Sequence, residues 1–381
     1  MNLKFRYLAM ALATALVVGC SSSGKKELPP AELEKFDAEQ TFERSWKRNV
    51  GAGQGKLFTQ LSPVLDGLTL YAADVRGRIL SMDRDTGEVN WQVKLDEPLS
   101  GAVGAGGGRV MVGTMNGEVI VLAEEDGAEL WRAQVSSEVL APPQTNGDVV
   151  VVQTQDDKLT ALDIGTGEQR WIYESSLPVL TVRGHSTPVA SLRRVYAGLA
   201  SGRVVALAAD TGLPLWDQRV AQPQGRSELE RMVDIDGDLL LEDDTLYVVS
   251  FQGVMAALNA ETGTPLWQYP ASSHVGLAAG FGSLYVSHAD GRVEAVDRNR
   301  AEPLWTNEDL LRRNLTAPVA FSSFVAVADF EGYVHLLAQT DGRLVARIRV
   351  DRKGVRATPI AIGDTLYVYG NSGDLVALKL Q

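Results

Sequence analysis

A single cysteine, four histidines and no apolar run long enough to cross a bilayer are the first facts about this 381-residue sequence. With one thiol, at Cys20, no internal disulfide can form, so stability has to come from packing. His185, His274, His288 and His335 show no H-x-x-x-H spacing and stand beside no G-x-S-x-G elbow. A sequence-local zinc site and a serine nucleophile are both missing, and surface or turn positions are expected for the histidines. Positive charge is scarce: 36 Lys and Arg stand against 48 Asp and Glu, a net −12, or −14 without Lys4 and Arg6 of the presequence. Nucleic acid and anionic lipid headgroups are therefore poor partners.

The longest apolar stretch, Tyr7 to Gly19, has thirteen residues and follows a basic start, which is the pattern of a secretory signal. Its end, Val17-Val18-Gly19-Cys20, resembles the bacterial lipobox, in which the cysteine is acylated and becomes the first mature residue. Residues 1–19 are read as signal peptide and 20–40 as a lipidated N-terminus and solvated tether, with a short helix from Pro30 to Ala38 available to shorten its reach. Ser21 stands where aspartate commonly signals inner-membrane retention. The lipobox resemblance thus implies the periplasmic face of the outer membrane, with contact to the bilayer through the anchor only.

Residues 41–381 hold a repeat. Trp46, Trp91, Trp131, Trp171, Trp216, Trp267 and Trp305 are spaced by 45, 40, 40, 45, 51 and 38 residues, and Ala346 follows 41 further on. Six of them close an eleven-residue cassette such as ALDIGTGEQRW (161–171) or ALNAETGTPLW (257–267). The Thr-Gly or Asp-Gly pair provides the positive φ of a hairpin turn, and the indole offers a broad apolar face with one N–H to satisfy. Two further strand signals precede each cassette, which makes four strands per unit. The last unit, from Thr358, lacks its cassette strand, while Phe42–Val50 supplies a strand with no unit of its own. Pairing the two closes the ring, and the expected fold is an all-β, eight-bladed β-propeller.

These cassettes resemble those of quinoprotein dehydrogenases, which hold pyrroloquinoline quinone and calcium at the centre of an eight-bladed propeller. Many of those enzymes carry an adjacent cysteine pair that this sequence lacks. The cassette carboxylates Asp83, Asp163 and Asp297 recur from blade to blade, which marks them as structural. Gly104–Gly108 opens no helix that would bind an anion. No catalytic residue, metal or cofactor is expected.

Function is expected where the repeat breaks, after Trp171 and after Trp216. Both insertions precede the next blade's inner strand and should project from one face. The first, SSLPVLTVRGHSTP (175–188), presents Leu180 and Val182 as outward apolar anchors beside Arg183. The second, residues 221–238, contains Asp234 and Asp236, which share a face if that stretch is extended and offer Arg183 a partner.

L-T-V-R-G-H-S-T-P, S-E-L-E-R-M-V-D-I-D, D-L-L-R-R-N-L-T-A-P-V at 309–319 and E-G-Y-V-H at 331–335, with the lipobox and eight units, resemble the BamB family of lipoproteins across essentially the whole chain. That family belongs to the outer-membrane β-barrel assembly machinery and is non-catalytic. The resemblance implies docking on the periplasmic POTRA domains of BamA through Leu180, Val182, Arg183, Asp234 and Asp236, with valine at 182 where the family has leucine. Unfolded outer-membrane proteins, added at blade edges by strand pairing, are a second expected partner. A quinoprotein-like enzyme and another lipidated periplasmic binding propeller remain as alternatives.

Overall fold

Runs such as Thr69–Ala73 and Arg78–Asp83 are buried on nearly every residue, whereas Val89–Lys94 alternates between exposed and half-covered. The first two are thus covered on both faces by neighbouring sheets, and the third is an outer strand. A computed structural model of the chain describes residues 28–55, 59–182 and 186–381. It folds residues 42–380 into eight four-stranded antiparallel sheets, the blades of a propeller. In the first blade the strands run Val64–Asp66, Thr69–Ala73, Arg78–Asp83 and Val89–Lys94, and the inner strands of neighbouring blades adjoin. The eighth blade pairs Phe42–Asn49 with Asp374–Leu380, in register from Phe42 opposite Leu380 to Asn49 opposite Asp374. Closure by the N-terminal strand is as the sequence predicts.

The tryptophans fasten each blade to the next. A β-bulge sits immediately before the cassette-end position in all eight blades and re-aims that side chain sideways. Each indole N–H then donates, at 2.8–3.0 Å, to a carbonyl in the outer hairpin turn of the following blade. At one such turn Gly212 has φ 68°, and a Cβ there would lie 2.6 Å from Trp171 Cδ2, so the ring rests directly on the turn backbone. Within the blade, five tryptophans also pack on a tyrosine at ring distances of 5.9–6.1 Å. The recurring cassette carboxylates hold the same turns: Asp83 accepts the N–H groups of Asp85 and Thr86, and Asp163 those of Gly165 and Thr166. Asp297 does the same for Asn299 and Arg300.

Ala346 has a topological explanation. The eighth blade takes its two outer strands from opposite chain ends, so no hairpin turn joins them and a seventh-blade tryptophan would have nothing to dock on. The chain before the first strand fills that position. Glu39 and Gln40 donate their N–H groups to the Val345 carbonyl, and Arg343 forms an ion pair with Glu39 at 2.8 Å. Arg347 lies 5.0 Å from the centroid of Phe36, and Leu33 joins the core cluster around Trp305. Residues 31–40 are therefore not a solvated tether, and Pro30–Ala38 forms no helix; burial of Leu33 and Phe36 outweighs local helix propensity.

Of two buried histidines, His335 lies within a strand and departs from the expected surface or turn position, whereas His288 opens the turn at 288–291 as expected but is not on the surface. His335 is buried, with Nε2 3.0 Å from Asp329 Oδ2, and Arg313 Nε donates to the same oxygen at 2.8 Å. His288 is buried with Nε2 2.8 Å from Glu294 Oε2. Neither is a surface residue: in each a carboxylate partners Nε2, while Nδ1 of His335 has no hydrogen-bond partner among the described residues. His185 lies outside the described residues.

Candidate functional site

Antiparallel order puts the outer hairpin turns of every blade on one face of the ring and the connections between blades on the other. Both long insertions are connections, so they share a face as expected. They flank the fourth blade, whose strands are Val189–Ala190, Arg194–Gly198, Arg203–Ala208 and Pro214–Arg219.

The insertions are tied together by two carboxylates of the second, Asp234 buried and Asp238 exposed. Asp234 Oδ1 accepts the N–H of Val182 at 2.8 Å, and Asp238 Oδ1 accepts that of Thr187 at 3.0 Å. Ile235 packs into the space left by Gly198, where a Cβ would lie 2.4 Å from its Cγ2. Further out, Ser227 and Glu230 form a reciprocal box: Glu230 Oε2 accepts the N–H of Arg226 and Ser227, while Ser227 Oγ accepts that of Glu230. The Leu229 carbonyl accepts Gln252 Nε2 from the fifth blade at 3.0 Å. These irregular loops therefore have defined backbones.

Between them lies a groove of about 200 Å3, lined by Leu177, Pro178 and Leu180 on one side and by Pro223, Met232 and Val233 on the other. Arg219 and Arg231 complete it. Val179 is 82% exposed, Leu229 65%, Leu177 48% and Leu180 46%, a cluster of uncovered apolar side chains on one face. Leaving so many aliphatic groups in water is unfavourable for a free protein and is the usual mark of a docking surface.

The five residues singled out in the sequence fall in different places. Leu180 lines the groove. Val182 does not share that surface: it lines the central cavity, because the hydrogen bond to Asp234 draws its backbone inward. Asp234 is fully buried, so it positions the first insertion and is not itself a contact surface. Asp236 faces a small recess beside the channel rather than the groove. The stretch 233–238 is not a strand, so the alternation that would put Asp234 and Asp236 on one face does not apply. Arg183 and Cys20 lie outside the described residues. The sequence reading missed Leu177, Val179, Leu229 and Met232; the signal was there in the L-P-V-L of 177–180, an apolar run inside a loop.

Electrostatic strain accompanies this arrangement. Burial pushes Asp234 up to about 6 against the opposing hydrogen bond from Val182, and burial likewise raises Asp157, in the third blade, to about 6. Asp236 is pushed well above the usual carboxylate range by burial and by the charge of Asp234. The Oδ2 atoms of Asp234 and Asp236 have no hydrogen-bond partner among the described residues. A carboxyl with a raised folded-state pKa binds protons that the unfolded chain has released, so its contribution is intact near pH 4 and is lost as pH rises through 6. Asp234→Asn retains an oxygen for the Val182 N–H and removes the buried charge, as does Asp236→Asn at its own site. Each is expected to raise the Tm by a few degrees at pH 7.5 and leave it unchanged near pH 4, read from thermal unfolding across that range. A fall in Tm at pH 7.5 that shrinks toward pH 4 would mean that the carboxylates stabilise the loops as ions.

Among the described residues no group of three or more His, Cys, Asp or Glu is gathered to hold a metal.

Comparison with known proteins separates these possibilities. The family model described as outer membrane protein assembly factor BamB matches residues 75–307 and 289–381. Outer membrane protein assembly factor BamB of Pseudomonas aeruginosa is 57% identical over 374 residues, covering 98% of both chains. Its counterpart in Shewanella oneidensis is 33% identical over 386 residues, again covering 98% of each. The crystal structure of BamB from Moraxella catarrhalis superposes with a TM-score of 0.81 at 30% identity, over 89% of this chain and 100% of that one. A europium-containing methanol dehydrogenase superposes with a TM-score of 0.72 over 89% of this chain and 93% of its own, but at 13% identity, which is a likeness of fold alone.

Proposed function

The chain belongs to the BamB family of outer membrane protein assembly factors, and from that membership we propose that its groove docks a periplasmic domain of the assembly complex. It is an assembly factor of the outer membrane, non-catalytic, and its partner is a component of that complex. We assign the docking to the POTRA domains of BamA, the anchor to an acylated Cys20, and the working position to the periplasmic face of the membrane. Residues 1–19 are removed as signal peptide in this reading.

The observation that carries the docking proposal is the exposed aliphatic cluster at Leu177, Val179, Leu180 and Leu229, held on loops whose backbones are already fixed by Asp234, Asp238 and the Ser227–Glu230 box. Prefixed loops save the entropy that a floppy surface would lose on binding. Leu180 acts as a direct contact and Asp234 as a positioning residue beneath it; Arg183 is assigned as a further polar contact on the resemblance of the sequence alone. Direct binding of the purified chain to the isolated periplasmic domains of BamA tests the proposal. Saturable binding that weakens when Leu180 is made polar is the expected result, and binding that ignores the groove contradicts it.

A further inference from the structure

The face that carries the groove also opens into the ring. Connections from around the propeller meet there over a cavity of about 960 Å3, at the top of the roughly 300–1,000 Å3 usual for ligand sites. Among the described residues its wall holds Arg76, Lys353, Arg356 and His274 but no aspartate or glutamate. In a chain with 48 acids against 36 bases, that is a local reversal of charge.

Among the acids closest in sequence to the wall, Glu331, beside Phe330, is ion-paired with Arg313, and Asp74 and Asp351 are engaged by backbone N–H groups. Asp74 is buried and accepts the N–H groups of Ala52, Arg76 and Arg78. Asp351 is buried and accepts the Lys353 N–H, the Ser372 N–H and the Ser372 hydroxyl. Each carboxylate thus fixes the backbone from which Arg76 or Lys353 projects, while both cationic side chains are exposed. Arg356 is half-buried and reaches the Gln54 and Gly55 carbonyls at 3.4 and 3.2 Å. Asp236 and Asp238 line a separate recess of about 70 Å3, across His274. A concave, partly desolvated cationic wall focuses its field on an incoming anion.

We propose that this opening is a binding site for an acidic peptide segment, whose carboxylates face Arg76, Lys353 and Arg356 while its apolar side chains face Phe330, Leu315 and Val355. The volume is far larger than a simple ion needs, and the wall contains both cations and apolar side chains. Gln60, Asn314 and Asn371 add amide groups that both donate and accept, as a peptide backbone requires. The site is separate from the groove, so it stands whether or not the groove docks BamA.

Calorimetric titration of the full-length chain at low salt, with an end-blocked hexapeptide alternating glutamate and leucine, tests this. The acidic peptide is expected to bind about tenfold more tightly than its glutamine analogue and to weaken as salt is added. The double variant Arg76→Ala/Lys353→Ala, which alters only exposed side chains, should lose about tenfold in affinity with no change in Tm. Equal binding of the two peptides, no binding at millimolar concentration, or an unaffected double variant would overturn the proposal. So would complete displacement by millimolar inorganic phosphate, which would mark a site for small anions.

Discussion

Trp171→Ala is expected to cost about 3–5 kcal/mol of stability, the range for emptying a large buried aromatic site. The indole is 6% exposed, its N–H is donated to the Ala209 carbonyl at 2.9 Å, and its face rests on Gly212 of the next blade. Alanine removes the apolar contact, leaves the carbonyl unpaired and opens a void between the third and fourth blades. Because the fourth blade carries both insertions, the groove should loosen at the same time. A urea titration that locates the unfolding midpoint, with hydrogen exchange at residues 175–238, reads both effects. Ala346→Trp is the contrasting change: with no outer turn in the eighth blade to receive it, the added indole meets the chain at Glu39 and Gln40 and should stabilise nothing. A loss below about 1 kcal/mol for Trp171→Ala would show that the tryptophans are not what joins the blades.

The second large effect is on binding. Leu177→Asp with Leu180→Asp puts two charges into an apolar groove that a partner must desolvate, and a central docking residue is typically worth about 2 kcal/mol or more. Affinity for the BamA periplasmic domains should fall at least about thirtyfold. Both side chains are roughly half exposed in the free protein, so the Tm should stay within a degree or two of the parent. Leu192→Asp is the control: it is 84% exposed on the turn between the first two strands of the fourth blade, on the opposite face. It should change neither affinity nor stability.

The parts of this fold that were legible in the sequence are those that repeat. Period, strand count and unpaired ends yield eight blades and the closing strand, because each blade must solve the same packing problem with the same residues. Recurrence also identified Asp83, Asp163 and Asp297 as turn supports. Positions used once were harder to read. Leu180 and Val182 look equivalent in sequence, yet the carboxylate of Asp234, 52 residues away, pulls Val182 toward the channel. Asp234 and Asp236 belong to an irregular stretch in which period-two reasoning has no footing. Residues 30–38 have the composition of a solvated helix, and only the empty position beside Ala346 explains why they lie extended against the seventh blade. Long-range contacts decide all three, and no local pattern encodes them.

The central claim is that the face bearing the two insertions docks the assembly complex. A photoreactive amino acid placed at position 180 of the full-length chain in living cells tests it most directly, with position 281 as reference. Phe281 is 82% exposed on a turn between inner strands of the sixth blade, on the opposite face. Illumination is expected to crosslink position 180 to the periplasmic part of BamA and to leave position 281 free of that product. Equal capture from both positions, or capture from 281 alone, would contradict the account.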